Sequence, residues 1–219
     1  MRRAVQLGRI PNLVVRETGG PPGTRRRTLR GHPGYPAADL ARANHAAYCR
    51  RLGLEYRWVE VGGYWGKVDA ALDALGAAEI DWFFWIDADA VFTGRRSVAD
   101  FAPVGPWLFG VGEDLVSSDR LNDGCLFVRN CPEAAGWLRR WRGMRHWDRV
   151  PPYDNGAFIE LYQVAEFRDV VEVVPHRLYN SYPSLDLWGP SDLVAHFPGT
   201  PQHKRMWVRS FSAITNAPD

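Results

Sequence analysis

Trp82-Phe83-Phe84-Trp85-Ile86-Asp87-Ala88-Asp89 is the stretch that decides the fold. Five large apolar residues in a row, with no polar alternation, predict a strand buried on both faces, as in a parallel sheet. The strand runs straight into two carboxylates with one small residue between them. In extended backbone, residues two apart point to the same side, so Asp87 and Asp89 are expected to converge on one ligand. Two anions held beside a hydrophobic strand repel each other and are costly to desolvate, and a divalent cation removes both penalties. Hard oxygen ligands favour magnesium or manganese. A solvated turn after a strand is the competing reading. The apolar run before the pair and Val91-Phe92 after it bring the two readings level, so the flanking segments must decide.

Working outward, residues 67–78 predict a helix with Val68, Ala71, Leu72 and Leu75 on one face. Residues 36–52 predict another, carrying Leu40, Ala43, Ala47 and Leu52, with Gly53 as its stop. Residues 54–61 alternate like a strand that Gly62-Gly63 ends. Further strands are expected at 107–111, 125–128 and 170–174. Pro132 is well placed to open a helix that runs to about residue 145, and 155–164 predict one more. Residues 4–7 and 13–16 compete for the first core strand. Strands alternating with helices indicate an α/β fold with a central, mostly parallel sheet flanked by helices. The chain shows no repeat and no linker, and its 219 residues suit one domain over 1–219. Residues 1–36 form an irregular Arg/Gly/Pro-rich region, and the tail after Pro201 is expected to fold over the site.

Composition narrows the function classes. A net charge of only +2 gives no global field for nucleic acid or an anionic membrane. The run Arg25-Arg26-Arg27 is a solvated loop or a holder of a phosphate or anionic acceptor. Three cysteines, Cys49, Cys125 and Cys131, are odd in number and lack zinc spacing, which fits reduced thiols in a cytoplasmic protein. No stretch approaches the roughly 18 apolar residues of a membrane span, and the start is a poor signal peptide. Ten tryptophans serve either packing or stacking on sugar rings. Abundant Arg, Ala, Gly and Pro with few Lys suggest a GC-rich, bacterial genome.

The flanking segments carry a resemblance. Trp65-Gly66-Lys67, a helix, and then Trp85 through Phe92 resemble the core of glycosyltransferase family 34. Asn44 with Tyr48-Cys49-Arg50-Arg51-Leu52-Gly53 is similar to a family helix ending, with Leu52 where a His is usual. Leu121-Asn122-Asp123-Gly124 running to Arg129-Asn130, then Asp154-Asn155-Gly156-Ala157, then Asn180-Ser181-Tyr182-Pro183 and His196-Phe197-Pro198-Gly199 follow in the family's order. The similarity spans about residues 40–200. It implies a GT-A fold and a glycosyltransferase that uses manganese, or magnesium, and a nucleoside-diphosphate sugar. UDP-sugars are the favoured donors, and the acceptor is a carbohydrate, natural product or lipid-linked molecule. It also implies retention at the anomeric carbon, by front-face displacement.

Each site residue has two readings. His196 follows Leu193-Val194-Ala195 and is placed at a strand end. It is a structural histidine or, by resemblance, a third metal ligand with Asp87 and Asp89. Of 27 basic residues only Lys67 and Lys204 are lysine. Lys67 opens a helix and either binds donor phosphate or pairs with a core carboxylate. Lys204, with Arg205 as its substitute and Gly199 before it, reaches the diphosphate or lies on the surface. Asn122 and Asp123 build a turn with Gly124 or contact the donor sugar. Asp154 caps a helix or, with Asn155, faces the transferred sugar; Asn155 is one methylene shorter than the family's Gln. Two rival functions remain. A nucleotidyltransferase of related fold would use Gly19-Gly20-Pro21-Pro22-Gly23-Thr24-Arg25 as a weak phosphate loop. A non-catalytic sugar-binding protein would use the tryptophans.

Overall fold

A computed structural model describes residues 14–16, 37–59, 64–76, 80–115, 121–198 and 204–216, with the side chains of 14–16, 204–205 and 213–216 outside the described set. Two sheets organise these segments. The larger holds β1 (Val14–Arg16), β2 (Trp82–Ile86), β4 (Phe109–Glu113), β5 (Leu121–Arg129) and β6 (Val171–Val174) in the order β1-β2-β5-β4-β6. The smaller pairs β3 (Ala90–Phe92) with β7 (Val194–His196).

β2 is buried at all five positions, as its unbroken apolar run predicts. Its side chains alternate between two cores. Phe83 and Trp85 face a core built with Val68 and Ala71 of α2 (Gly66–Ala74), Leu138 and Trp141 of α3 (Pro132–Arg142), and Phe158 of α4 (Asp154–Tyr162). Trp82, Phe84 and Ile86 face a second core with Tyr48 and Cys49 of α1 (Ala38–Leu52), Phe92 of β3 and Val194 of β7. One face of the large sheet is thus covered by helices, and the other by α1 with the small sheet. Helices therefore flank the sheet on both faces, as expected, and the small sheet shares the second face with α1.

β1, β2, β4 and β6 run in one direction and β5 alone runs against them, pairing antiparallel with β2 and β4. The expected mostly parallel sheet is therefore present, split by one reversed strand. Of the competing N-terminal segments, 13–16 supplies β1, while 4–7 lies outside the described residues, as do the runs at 19–27. Gly53 does end α1, in the left-handed conformation at φ 67°. The alternation at 54–61 yields no strand over its described part, 54–59. β5 starts at Leu121, earlier than expected, because β4 pairs with it as far as Glu113, through an irregularity between Val111 and Gly112. The tail forms α6 (Lys204–Asn216), which packs against α1 and β3.

All ten tryptophans are buried or half-buried, which favours packing over an exposed sugar platform. The three cysteines are free.

Candidate active site

The site lies where β2 leaves the large sheet and β3 enters the small one. Asp87, Ala88 and Asp89 form the junction. Asp87 N–H still donates to Gly124 O of β5 at 2.8 Å, and Ala90 N–H then donates back to Asp87 O at 3.0 Å. The pair converges through this tight turn, not through the extended backbone expected from the sequence, because the chain changes sheets here. The register Ala90↔His196 sets the imidazole beside Asp89, and Asp89 Oδ1 lies 3.3 Å from His196 Nε2. One ligand atom from each of Asp87, Asp89 and His196 falls within 4.8 Å of the others.

Two observations test whether this cluster fits a cation. A Cβ built on Gly124 would lie 2.5 Å from His196 Cε1 and 3.0 Å from Asp87 Oδ2, so the space between these two side chains exists only because residue 124 has no side chain. Burial, opposed by Lys67 and reinforced by the Asp89 charge, pushes the Asp87 carboxyl above its usual range. Some 26% of that side chain is exposed, which moderates the shift. The donor set of two carboxylates and one imidazole suits manganese or magnesium. Trp85 Nε1 donates to Asp87 Oδ1 at 2.7 Å and steers that carboxylate.

A second cluster sits deeper. Lys67, 5% exposed, projects from the first turn of α2 and places Nζ 2.7 Å from Asp123 Oδ1, 3.0 Å from Asp154 Oδ2 and 3.9 Å from Asp87 Oδ1. Burial alone would lower its pKa. The three carboxylates overcome that and hold it well above the ordinary value. Of its two sequence readings, the described contacts are those of a lysine paired with core carboxylates. Asp154 is the first residue of α4, not its cap, and its carboxylate turns inward to Lys67. Burial pushes it up to about 7, against the pull of Lys67. Asp123 Oδ2 is buried without a hydrogen-bond partner among the described residues, and Asp154 Oδ2 faces Lys67 Nζ.

Asn122 and Asp123 lie within β5, not in a turn ahead of it. Asn122 Oδ1 accepts from Gly124 N–H at 2.9 Å. Asn155 accepts from Asp123 N–H at 3.0 Å and donates to Leu121 O at 3.2 Å, so its amide braces the start of β5. Gly199 lies outside the described residues, as do the side chains of Lys204 and Arg205, whose backbone opens α6.

Composition and spacing do not mark Gly124 as the gap between Asp87 and His196, Trp85 as a donor, or the stacked Tyr64–Tyr153 pair. Those rings lie 3.7 Å apart, just ahead of α2 and α4, and Tyr153 has φ 60°. The Gly after Asn-Asp was the one available signal for the first; the others are tertiary contacts.

No family model matches the chain. A probable xyloglucan 6-xylosyltransferase 1 of Oryza sativa subsp. indica is 29% identical over 114 residues, which cover 46% of this chain and 25% of that protein. A probable glycosyltransferase 3 of the same rice is 28% identical over 170 residues, covering 68% of this chain and 36% of it. The chain thus spans about a quarter to a third of the curated relatives it matches. Among solved structures, a glycosyltransferase involved in the glycosylation of the major capsid of PBCV-1 superposes with a TM-score of 0.69 at 15% identity, over 91% of this chain and 100% of that one. The fold is that of the GT-A glycosyltransferases. The sequence relatives fit the resemblance to glycosyltransferase family 34. Among the described residues no helix is long and apolar enough to cross a membrane.

Proposed function

We propose that the protein transfers a hexose or pentose from a nucleoside-diphosphate sugar, with a UDP-sugar favoured, to an acceptor hydroxyl, with retention and with the help of a divalent cation. The observation that carries this reading is the convergence of Asp87, Asp89 and His196 around a gap kept open by Gly124. These three would hold manganese, or magnesium, which when bound supplies charge neutralisation for the diphosphate leaving group.

The deeper cluster supports a role in holding the transferred sugar. Asp123 Oδ2 is an acceptor with no hydrogen-bond partner among the described residues, and a sugar hydroxyl supplies a donor. Lys67 keeps the Asp123 and Asp154 carboxylates in place, and Asn155 fixes the β5 backbone that carries Asp123. With Lys67 paired to these carboxylates, the diphosphate is assigned to Lys204, or to Arg205 in its place, after Gly199. Retention rests on the family resemblance.

Thermal unfolding with nucleoside diphosphates and nucleotide sugars, with and without manganese, tests this. A ligand that binds only the folded state raises the melting temperature. One nucleotide is expected to do so only with manganese. No shift with any nucleotide would return the protein to the sugar-binding reading, and release of diphosphate from a nucleoside triphosphate would make it a nucleotidyltransferase.

A further inference from the structure

Asn180 belongs to Asn180-Ser181-Tyr182-Pro183, a motif to which neither the cation site nor the sugar site gives a task. Its side chain lies against the proposed metal histidine: Asn180 Oδ1 and His196 Nδ1 are 2.7 Å apart. The orientation of the amide follows from its other end. Asn180 Nδ2 faces the Glu113 carbonyl at 3.2 Å, and a carbonyl can only accept. It also donates to the Tyr182 hydroxyl at 2.7 Å. The oxygen therefore faces the imidazole, and an amide oxygen so placed requires a hydrogen on Nδ1. In the neutral ring the lone pair then falls on Nε2, the nitrogen that faces Asp89.

The arrangement is rigid. Asn180 and His196 are 0% and 2% exposed, which keeps bulk water from replacing either partner. Asn180 N–H donates to His176 O, and His196 N–H to Ser181 O, both at 2.7 Å. A Cβ on Gly112 would come within 2.8 Å of Asn180 Cβ, so β4 admits Asn180 only because it carries glycine at that point. Asn180 thereby joins the large sheet, through Glu113, to the small sheet, through His196.

We propose that Asn180 is a positioning residue that holds His196 in the Nδ1–H tautomer and aims the Nε2 lone pair into the cation site. The cation half of this inference rests on the proposed function; the tautomer half does not.

Long-range 1H–15N correlation on the metal-free protein, at a pH where the imidazole is neutral, reads the tautomer directly. A pyrrole-like Nδ1 and a pyridine-like Nε2 are expected for His196, and the reverse assignment overturns the proposal. Manganese titration followed by electron paramagnetic resonance gives the second readout. Asn180→Ala should lose about 10- to 100-fold in affinity and lose the fixed tautomer. Asn180→Asp, which keeps an acceptor facing Nδ1, should retain the tautomer and bind better than Asn180→Ala. Unchanged tautomer and affinity in Asn180→Ala would overturn the inference. If Asn180→Ala does not fold, the wild-type tautomer decides. A wild-type protein with the Nδ1–H tautomer and no manganese binding would remove the proposed function and leave Asn180's hold on the ring intact.

Discussion

Gly124 and His196 stand so close that a Cβ on the glycine would lie 2.5 Å from the imidazole Cε1, with Asn122 Oδ1 at 2.8 Å and Asp87 Oδ2 at 3.0 Å. Such distances lie inside van der Waals contact, and each of the three side chains is held by a hydrogen bond: His196 by Asn180, Asn122 by the Gly124 N–H and Asp87 by Trp85. Gly124→Ala should therefore push Asp87 and His196 apart. Manganese affinity, read by electron paramagnetic resonance, is expected to fall at least tenfold, about 1.4 kcal/mol, with an unchanged far-ultraviolet circular dichroism spectrum. Equal affinity in the variant would mean that the gap is not a ligand site.

Lys67 is a single buried cation shared by two buried carboxylates and the edge of a third. Removing one partner of a buried ion pair leaves charge without compensation and typically costs about 3–5 kcal/mol. Lys67→Met should destabilise the protein by that order in urea unfolding. Adding Asp154→Asn should recover part of the loss, because it removes one of the stranded charges. If the single variant is as stable as wild type, the cluster is not the tight ion pair described.

The same cluster predicts a pH dependence. Burial pushes Asp154 from its ordinary 3.8 to about 7 in the folded protein. Between those values the folded state holds a proton that the unfolded state has released. Stability contributed by this group is thus fully present below about pH 4, falls as pH rises through the window, and levels off above about 7. The slope can reach about 1.4 kcal/mol per pH unit. Urea midpoints at pH 5, 6 and 7, compared between wild type and Asp154→Asn, check this: the variant should have the flatter profile. A parallel fall in both proteins would assign the slope to other groups, Asp87 first among them.

Much of this arrangement is legible in the sequence where a signal is local and dense. The unbroken apolar run of Trp82–Ile86 marks a strand buried on both faces, and Pro132 marks the start of α3. Asp87, Asp89 and His196 stand out because each follows an apolar strand. What escapes is decided between segments. β3 and β7 have three residues each, too few for a period to show, and they exist because they pair with one another. Residues 54–61 alternate well, yet their described part, 54–59, forms no strand. Lys67 has two readings until the β2–β5 register, Ile86↔Cys125, carries Asp123 alongside it. Asn180 and His196 are 16 positions apart, and only the fold brings them to a hydrogen bond.

Asn44 offers the last test, because it does for β3 what a further strand would do. Its Nδ2 donates to Phe92 O at 3.0 Å and its Oδ1 accepts from Phe92 N–H at 2.8 Å. Nearby, Tyr48 stacks on the Phe92 ring at 3.7 Å, and its hydroxyl bonds Arg96 O and Val98 N–H. A helix thereby pins the free edge of a three-residue strand, and that strand follows directly on Asp89. Asn44→Leu removes both bonds and leaves a buried N–H and C=O without partners, at a cost of about 1–3 kcal/mol each. Stability should fall accordingly in urea. Hydrogen exchange at the Phe92 amide should quicken more than exchange at the Phe84 amide in β2, because β3 loosens without the large sheet opening. Equal acceleration at both amides would mean that the substitution acts on the whole core and that Asn44 has no local hold on the strand beside the proposed cation site.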